Sequence, residues 1–201
     1  MKPTLFVDFD RTICFDRFWR SVDPKIYTGI QEVLFRGNAE KVDDWMRGKH
    51  SSEEINKFLA DELNAGYDDL WSVFVSDCKS MKVSADVLKK IDGLRARYNT
   101  ILITGNMDCF TRFTVPALEL DNYFDQIVNS ADYGRFKDDD NGRIFLDILK
   151  EFGGNIKDSI LIDNSETTCK TFSNLGGKSL QVTKNTPIEH WLNYLSNSAG
   201  T

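Results

Sequence analysis

Histidine and cysteine are scarce in this chain, and their scarcity narrows the chemistry available to it. Only His50 and His190 occur among its 201 residues, which argues against a histidine-rich zinc site and against a Ser-His-Asp triad. The four cysteines, at positions 14, 78, 109 and 169, show no paired spacing. We therefore expect reduced thiols and a cytoplasm-like compartment.

Long hydrophobic runs and a surplus of positive charge are also missing. No apolar stretch is long enough to span a membrane, and the short N-terminal apolar run stops at Asp8, unlike that of a signal peptide. The formal net charge of −6 argues against general nucleic-acid binding but allows a local basic pocket for a phosphorylated small molecule. We expect a cytoplasmic protein with no nucleic-acid partner and no membrane partner. The sequence leaves the oligomeric state open.

Short apolar strands alternate with amphipathic helices along most of the chain. The strand patterns are TLFVD (4–8), TILIT (100–104), DQIVNS (125–130), DSILID (158–163) and KSLQV (178–182). Residues 15–82 instead show helical apolar spacing and no convincing strand. This order predicts an α/β fold, with a Rossmann-like parallel sheet of about five strands and helices on both faces. Residues 1–14 and 83–201 would form that core, and 15–82 an inserted all-helical cap subdomain.

Polar side chains stand at the ends of three predicted strands. They are Asp8 and Asp10 after the first strand, Thr104, Gly105 and Asn106 at the second, and Asp163 and Asn164 at the fourth. In an open α/β sheet, ligands bind outside the carboxyl ends of the strands, so these groups are expected to face one site. Carboxylate and amide oxygens suit a hard divalent cation.

These motifs, taken in order, resemble those of the haloacid dehalogenase-like superfamily of hydrolases. The segment from Asp8 to Thr12 matches the Asp-x-Asp-x-Thr motif of that family, and the strand ending at Thr104 matches its second motif. Asp163 and Asn164 match its fourth motif in part. The helical segment at 15–82 has the position and size of the family's helical cap, so the resemblance covers nearly the whole chain.

The resemblance implies a Mg²⁺-dependent phosphatase that hydrolyses a small phosphorylated substrate through an aspartyl phosphate. Asp8 would be the nucleophile, and Asp10 would protonate the leaving oxygen and then deprotonate water. Thr104 would hydrogen-bond the transferred phosphoryl group, with Gly105 and Asn106 beside it. The metal would be held by Asp8, by the backbone carbonyl of Asp10, and by Asp163 or Asn164.

The third and fourth motifs match less closely. The third requires a basic residue; Lys137 in GRFKDDDNGRIF is the best candidate, and Arg135 and Arg143 are rivals. In the fourth, Asn164 stands where the family usually has its metal aspartate. Either Asp163 takes over or the metal binds more weakly.

Three functions remain open from the sequence. Asp10 favours phosphate esters over haloacids, because an alkoxide leaving group needs a proton and a halide does not. Phosphoglucomutase-like transfer is an alternative, and so is a catalytically weak or inactive binding protein. Arg17 and Arg20 either meet a second anionic group of the substrate or are plain surface charges.

Overall fold

A five-stranded parallel sheet forms the centre of the protein, in a computed structural model that describes residues 2–197. Its strands are β1 (Thr4–Val7), β2 (Asn99–Thr104), β3 (Gln126–Asn129), β4 (Ile160–Asp163) and β5 (Lys178–Gln181). Neighbouring strands all pair in parallel, in the order β3-β2-β1-β4-β5. The predicted α/β fold is confirmed, and each predicted strand overlaps an observed one.

Helices precede, separate and follow the later strands. They are α1 (Pro24–Ile30), α2 (Ala39–Met46), α3 (Ser52–Leu63), α4 (Tyr67–Lys79), α5 (Ala85–Leu94), α6 (Val115–Ala117), α7 (Ser130–Tyr133), α8 (Arg143–Phe152), α9 (Glu166–Asn174) and α10 (Ile188–Asn197). Gln31–Arg36 and Phe110–Thr114 are π-helical, and Leu120–Asn122, Asp139–Asn141 and Ile156–Asp158 are 3₁₀ turns. Within residues 2–197, no helix is both long and apolar enough to cross a membrane.

The segment 15–82, called the helical segment below, contains α1 to α4 and no strand. Helix α3 starts with a capping box, in which Glu54 N donates to Ser51 Oγ at 3.2 Å and Ser51 N donates to Glu54 Oε2 at 2.7 Å. Trp45 and Phe74 are fully buried in a hydrophobic cluster of this segment. The helical insertion is confirmed as part of the fold, while its boundaries as a separate subdomain stay a prediction.

Alternate side chains of β1 pack on opposite faces of the sheet, as the two-residue period of a strand requires. Leu5 and Val7 belong to the cluster that includes α5 and α10. Phe6 points the other way and meets Phe145 of α8 and Phe172 of α9 edge-on, with ring centroids 5.2 and 5.7 Å away. Both faces are therefore covered by helices, which explains the continuous apolar character of the strand.

The strand order places the topological switch point at β1. From β1 the chain moves outward to β2 and β3 on one side, and later to β4 and β5 on the other. In sheets of this kind the ligand crevice lies at such a point, outside the carboxyl ends of the strands. The ends of β1 and β4 are thus where a site is expected.

A partly buried carboxylate joins the helical segment to the sheet. Asp108, which follows β2, accepts hydrogen bonds from Trp45 Nε1 (2.7 Å), Ser52 Oγ (2.6 Å) and Arg112 Nη1 (2.7 Å). Arg112 also pairs with Glu53 at 2.6 Å. Burial would raise the pKa of Asp108, but these hydrogen bonds outweigh burial and lower it below its ordinary value.

We expect Asp108→Asn to lower the free energy of unfolding by about 1–3 kcal/mol at neutral pH, because an amide cannot accept from all three donors. The pKa of Asp108 is lowered in the folded state, so its contribution to stability is present above the unfolded-state pKa and lost as the pH falls through the folded-state value. Urea unfolding at a series of pH values should show that the difference in free energy of unfolding between parent and variant shrinks below about pH 4. Asp61→Asn, an exposed change of equal charge on α3, is the control. A gap independent of pH would contradict this account of Asp108.

Candidate active site

The ends of β1 and β4 bring two carboxylates onto one lysine. Lys137 Nζ donates to Asp8 Oδ1 at 2.7 Å and to Asp163 Oδ2 at 2.5 Å. Both carboxylates are buried, and the lysine side chain is 11% exposed. Thr12 Oγ1 donates to Asp8 Oδ2 at 2.8 Å, and the backbone N–H of Ser165 donates to Asp163 Oδ1 at 2.7 Å. Each carboxylate oxygen therefore has a donor, and two carboxylates share the single positive charge of Lys137.

Burial and charge together determine the protonation of this cluster. Burial is the largest influence on Asp8 and raises the pKa of its carboxyl from 3.8 to about 7, while Lys137 acts in the opposite direction. Burial alone would lower the pKa of Lys137, but Asp8 and Asp163 outweigh it and raise that pKa above its ordinary value. The lysine is thus charged at neutral pH, and Asp8 lies where a further cation would favour its ionised form.

The loop that carries Lys137 is attached to the helical segment. Arg47, directly after α2, pairs with Asp139, and its Nη2 donates to Asp139 Oδ1 at 3.0 Å. The Arg47 guanidinium also lies 4.2 Å from the centroid of the Phe136 ring. Asp139 Oδ2 accepts from the backbone N–H of Phe136 at 2.9 Å. Because residues on both sides of Lys137 are held by Arg47, the placement of the helical segment helps determine where the lysine lies.

The two rival basic residues lie elsewhere. Arg135 Nη2 is 3.4 Å from Asp147 Oδ2, and Arg143 Nε is 2.9 Å from Asp147 Oδ1. Asp147 belongs to α8, so both arginines pair with a helix of the sheet domain. Of the three candidates, it is Lys137 that contacts Asp8; its catalytic role stays a prediction.

Thr104 ends β2 with an unsatisfied polar group. Its hydroxyl is buried and has no hydrogen-bond partner within residues 2–197. A buried hydroxyl without a partner is costly, so a ligand that bonds it would remove that cost. The next residues are held in place: Asn106 N donates to Ser130 Oγ at 2.9 Å, and Ser130 Oγ donates to the carbonyl of Met46 at 2.7 Å. The Thr104 hydroxyl is therefore the polar group of this strand end that a ligand would satisfy.

A cavity of about 350 Å³ opens beside this cluster, between the strand ends and the helical segment. Asp10, Gly105 and Asn106 line it. A sharp turn after β1 positions Asp10, because the carbonyl of Phe9 accepts from the backbone N–H groups of residues 12 to 14 at 2.9–3.3 Å. The Asp10 side chain is 48% exposed and accepts from Arg17 Nη1 at 2.6 Å. Asp10 thus faces the cavity, while Asp8 faces the buried lysine.

The predicted metal ligands differ in the contacts that their oxygen atoms make. Thr12 Oγ1 lies 2.8 Å from Asp8 Oδ2 and 3.4 Å from Asn164 Oδ1, so a single hydroxyl bridges these two oxygens. Both oxygens of Asp163 already have donors, as both oxygens of Asp8 do. Within residues 2–197, no group of three or more His, Cys, Asp or Glu side chains is arranged to hold a metal ion. The shared Thr12 hydroxyl favours Asp8 and Asn164, with the carbonyl of Asp10, as the ligand set. This set offers hard oxygen donors with one carboxylate, which fits Mg²⁺ completed by water and substrate.

The sequence did not single out every residue that builds this site. Thr12 belongs to the first motif, and Ser165 is recognisable as a helix cap because its hydroxyl accepts from Thr168 N at 3.2 Å at the start of α9. The pairing of Arg47 with Asp139 has no local signal, since the two residues are distant in the chain and meet only in the fold.

Comparison with known proteins identifies the fold. No family profile and no curated protein matches the sequence. A haloacid dehalogenase family enzyme from Bacteroides thetaiotaomicron, solved with magnesium and inorganic phosphate, has a TM-score of 0.71 and 16% identity, covering 95% of this chain and 99% of that one. A predicted haloacid dehalogenase-like hydrolase from Porphyromonas gingivalis has a TM-score of 0.69 and 18% identity, covering 100% and 99%.

A halide-releasing enzyme shares the fold as well. The L-2-haloacid dehalogenase from Xanthobacter autotrophicus, with chloropropionic acid covalently bound, has a TM-score of 0.59 and 12% identity, covering 100% of this chain and 85% of that one. The chain therefore has the haloacid dehalogenase-like fold, and the resemblance read from its motifs is confirmed at that level. Because a dehalogenase is among these proteins, the fold alone does not choose the reaction.

Proposed function

We propose that this protein is a Mg²⁺-dependent phosphatase that hydrolyses a small phosphorylated metabolite through an aspartyl phosphate on Asp8. The observation that carries the proposal is that the two aspartates after β1 lie in different environments. Asp8 is buried against Lys137, and Asp10 faces the cavity. A nucleophile and an acid–base group have different requirements, and two carboxylates in different environments meet them.

The proposed reaction has two steps on this chain's own residues. An Asp8 oxygen attacks phosphorus, the bond from phosphorus to the ester oxygen breaks, and Asp10 gives its proton to that leaving oxygen. Water then attacks the phosphorus of the aspartyl phosphate, Asp10 takes the water proton, and inorganic phosphate leaves with Asp8 restored. Lys137 neutralises charge on the transferred group, and the unpartnered Thr104 hydroxyl hydrogen-bonds one of its oxygens.

Mg²⁺ would be held by Asp8, Asn164 and the backbone carbonyl of Asp10. When bound, it reduces the repulsion between a carboxylate and a phosphate dianion. With one carboxylate in the set, affinity should be modest, since ligand charge contributes to cation binding. Asp163 would act instead through Lys137, by holding the lysine against Asp8.

Hydrolysis of p-nitrophenyl phosphate tests the proposal. We expect turnover with Mg²⁺ and a fall of at least about 100-fold with excess chelator, reversed by added Mg²⁺. Chloride release from 2-chloropropionate, assayed in parallel, should stay at background. Chelator-insensitive hydrolysis, or faster turnover of the haloacid, would refute the proposal. Failure both to hydrolyse the ester and to bind fluoroberyllate would favour an inactive binding protein, and transfer of phosphate to a sugar in product analysis would indicate a mutase.

The role of Asp10 predicts a dependence on the leaving group. We expect Asp10→Asn to reduce kcat/KM by about 100-fold or more for an alkyl phosphate, which needs a proton on its leaving oxygen. For p-nitrophenyl phosphate, the rate of phosphoenzyme formation, measured as a burst of nitrophenolate, should fall less. Nitrophenolate leaves without a proton, so this step does not need the acid. Steady-state and burst kinetics on both esters measure the difference. Asp16→Asn, which removes another carboxylate of the cavity wall, is the matched control. Equal losses on both esters would contradict general-acid catalysis by Asp10.

A further inference from the structure

The cavity beside Asp8 is mostly hydrophobic where it lies against the helical segment. Phe18, Phe35, Val42 and Met46 contribute from that segment, and Met107 contributes from the sheet domain. Its volume of about 350 Å³ suits a phosphate and a small organic group. The side of the cavity formed by the helical segment therefore offers apolar surface to whatever carries the phosphate.

The charged residues of the wall compensate one another. Arg17 Nη1 is occupied by Asp10 Oδ1 at 2.6 Å, and Asp16 Oδ2 accepts from the backbone N–H of Lys82 at 2.8 Å. Arg11, with a side chain 64% exposed, has its Nε 4.0 Å from Asp10 Oδ2. With both aspartates ionised, the two arginines and two aspartates of the wall sum to zero formal charge. The wall thus offers no surplus positive charge to a second anionic group.

Arg20, the other arginine considered for anion binding, is also used within the protein. Its Nη1 donates to the carbonyl of Asp77 at 2.8 Å, and its Nη2 donates to the carbonyl of Ser80 at 2.9 Å. It ties the start of the helical segment to the end of α4. The structure therefore gives it a structural role and not a role in anion binding.

A π-helical turn supplies one hydrophobic and one neutral polar group to the wall. Gln31 and Phe35, both in Gln31–Arg36, line the cavity. Such turns are rare and occur frequently at functional sites. Within the described residues, the Gln31 side-chain amide has no hydrogen-bond partner, so it is available to a ligand. The turn therefore presents an aromatic ring and a neutral hydrogen-bonding group together.

We propose that the substrate's organic part is an uncharged, largely apolar alcohol, so that the phosphate is its only ionised group. Phe35 packs against this alkyl or aryl body, and Gln31 hydrogen-bonds a neutral polar substituent on it. The assignment rests on the proposed phosphatase function. It names the substrate class that the wall of the same site selects, and it excludes esters with a second anionic group.

Matched esters test the assignment. Hexyl phosphate and 5-carboxypentyl phosphate have similar lengths and similar alkoxide leaving groups, and they differ in one charge. With Mg²⁺, we expect kcat/KM to favour hexyl phosphate by at least about 10-fold. Phe35→Ala should remove most of this preference by lowering kcat/KM for hexyl phosphate. Phe58→Ala, which truncates a partly buried aromatic ring of the helical segment outside the cavity wall, should leave the preference intact.

Binding separates this inference from the proposed function. Calorimetric titration with hexylphosphonate and 5-carboxypentylphosphonate needs no turnover. If neither ester is hydrolysed but hexylphosphonate binds more tightly and Phe35→Ala removes the difference, the apolar assignment stands and the phosphatase proposal fails. If the esters are hydrolysed with no preference, or with preference for the carboxylate, the apolar assignment is overturned and the phosphatase proposal stands. If neither phosphonate binds and neither ester is hydrolysed, both are wrong.

Discussion

Asp8→Asn should abolish phosphate-ester hydrolysis, with a loss of at least about 1,000-fold in kcat, because an amide cannot form the aspartyl phosphate. Asparagine keeps the shape of the side chain, and its oxygen can still accept from Lys137 or Thr12, which contact Asp8 at 2.7 and 2.8 Å. The measurement is initial-rate hydrolysis of p-nitrophenyl phosphate with Mg²⁺, together with acid trapping of the phosphoenzyme. The parent should trap phosphate and the variant should not.

The same substitution should leave the fold intact. In the folded state the pKa of Asp8 is raised from 3.8 to about 7, so the folded protein holds a proton there more tightly than the unfolded chain does. The contribution of Asp8 to stability is therefore complete below the unfolded-state pKa and is lost as the pH rises through the folded-state value. Asparagine carries no charge to desolvate. In chelator at about pH 8, the variant should be at least as stable as the parent, and the two should converge towards about pH 4.

Asp61→Asn serves as the control for both measurements, because it makes the same chemical change at an exposed position of α3. It should alter neither the hydrolysis rate nor the stability by a measurable amount. Appreciable hydrolysis by Asp8→Asn would remove Asp8 from the role of nucleophile. A strongly destabilised Asp8→Asn protein would contradict the account of its burial.

Lys137→Met should damage activity and stability together. The substitution leaves Asp8 and Asp163 buried without their shared cation, at contacts that are now 2.7 and 2.5 Å. Loss of one partner from a buried ion pair typically costs about 3–5 kcal/mol. The charge on the transferred phosphoryl group also loses its nearest counter-charge, for which we expect a fall in kcat of about 100- to 1,000-fold. Urea unfolding and steady-state kinetics on the same protein measure the two effects.

The rival arginines provide controls for the lysine. Arg135→Met and Arg143→Met each remove a positive charge that pairs with Asp147, whose side chain is 35% exposed. Partly exposed pairs contribute about 0–1 kcal/mol, so stability should change little. Neither arginine contacts Asp8, so kcat should stay within about 3-fold of the parent. Lys137→Arg should retain more stability than Lys137→Met, because it keeps the charge. If Arg143→Met lost as much kcat as Lys137→Met, the assignment of the third motif to Lys137 would be wrong.

The sheet could be predicted because its signals are local. Buried parallel strands are continuously apolar, and TILIT between two amphipathic helices has few other interpretations. The start of α3 also has a local basis, since Ser51 and Glu54 stand at the spacing that lets each bond the backbone of the other. The two π-helical turns were not predicted. They depend on how Gln31–Arg36 and Phe110–Thr114 pack within the fold, and no residue pattern marks them.

The sequence by itself determined the parallel sheet, the helical insertion after β1 and the carboxylates of the first motif. All of these depend on neighbours in the chain: a strand ends, and Asp8 and Asp10 follow it. Only the tertiary structure decided which of three basic residues reaches Asp8. It also decided that Asn164, and not Asp163, contacts the Thr12 hydroxyl that bonds Asp8. Lys137 reaches that position on a loop held by Arg47, more than eighty residues earlier in the chain. Contacts between such distant residues leave no periodicity or spacing in the sequence, so they emerge only when the chain is folded.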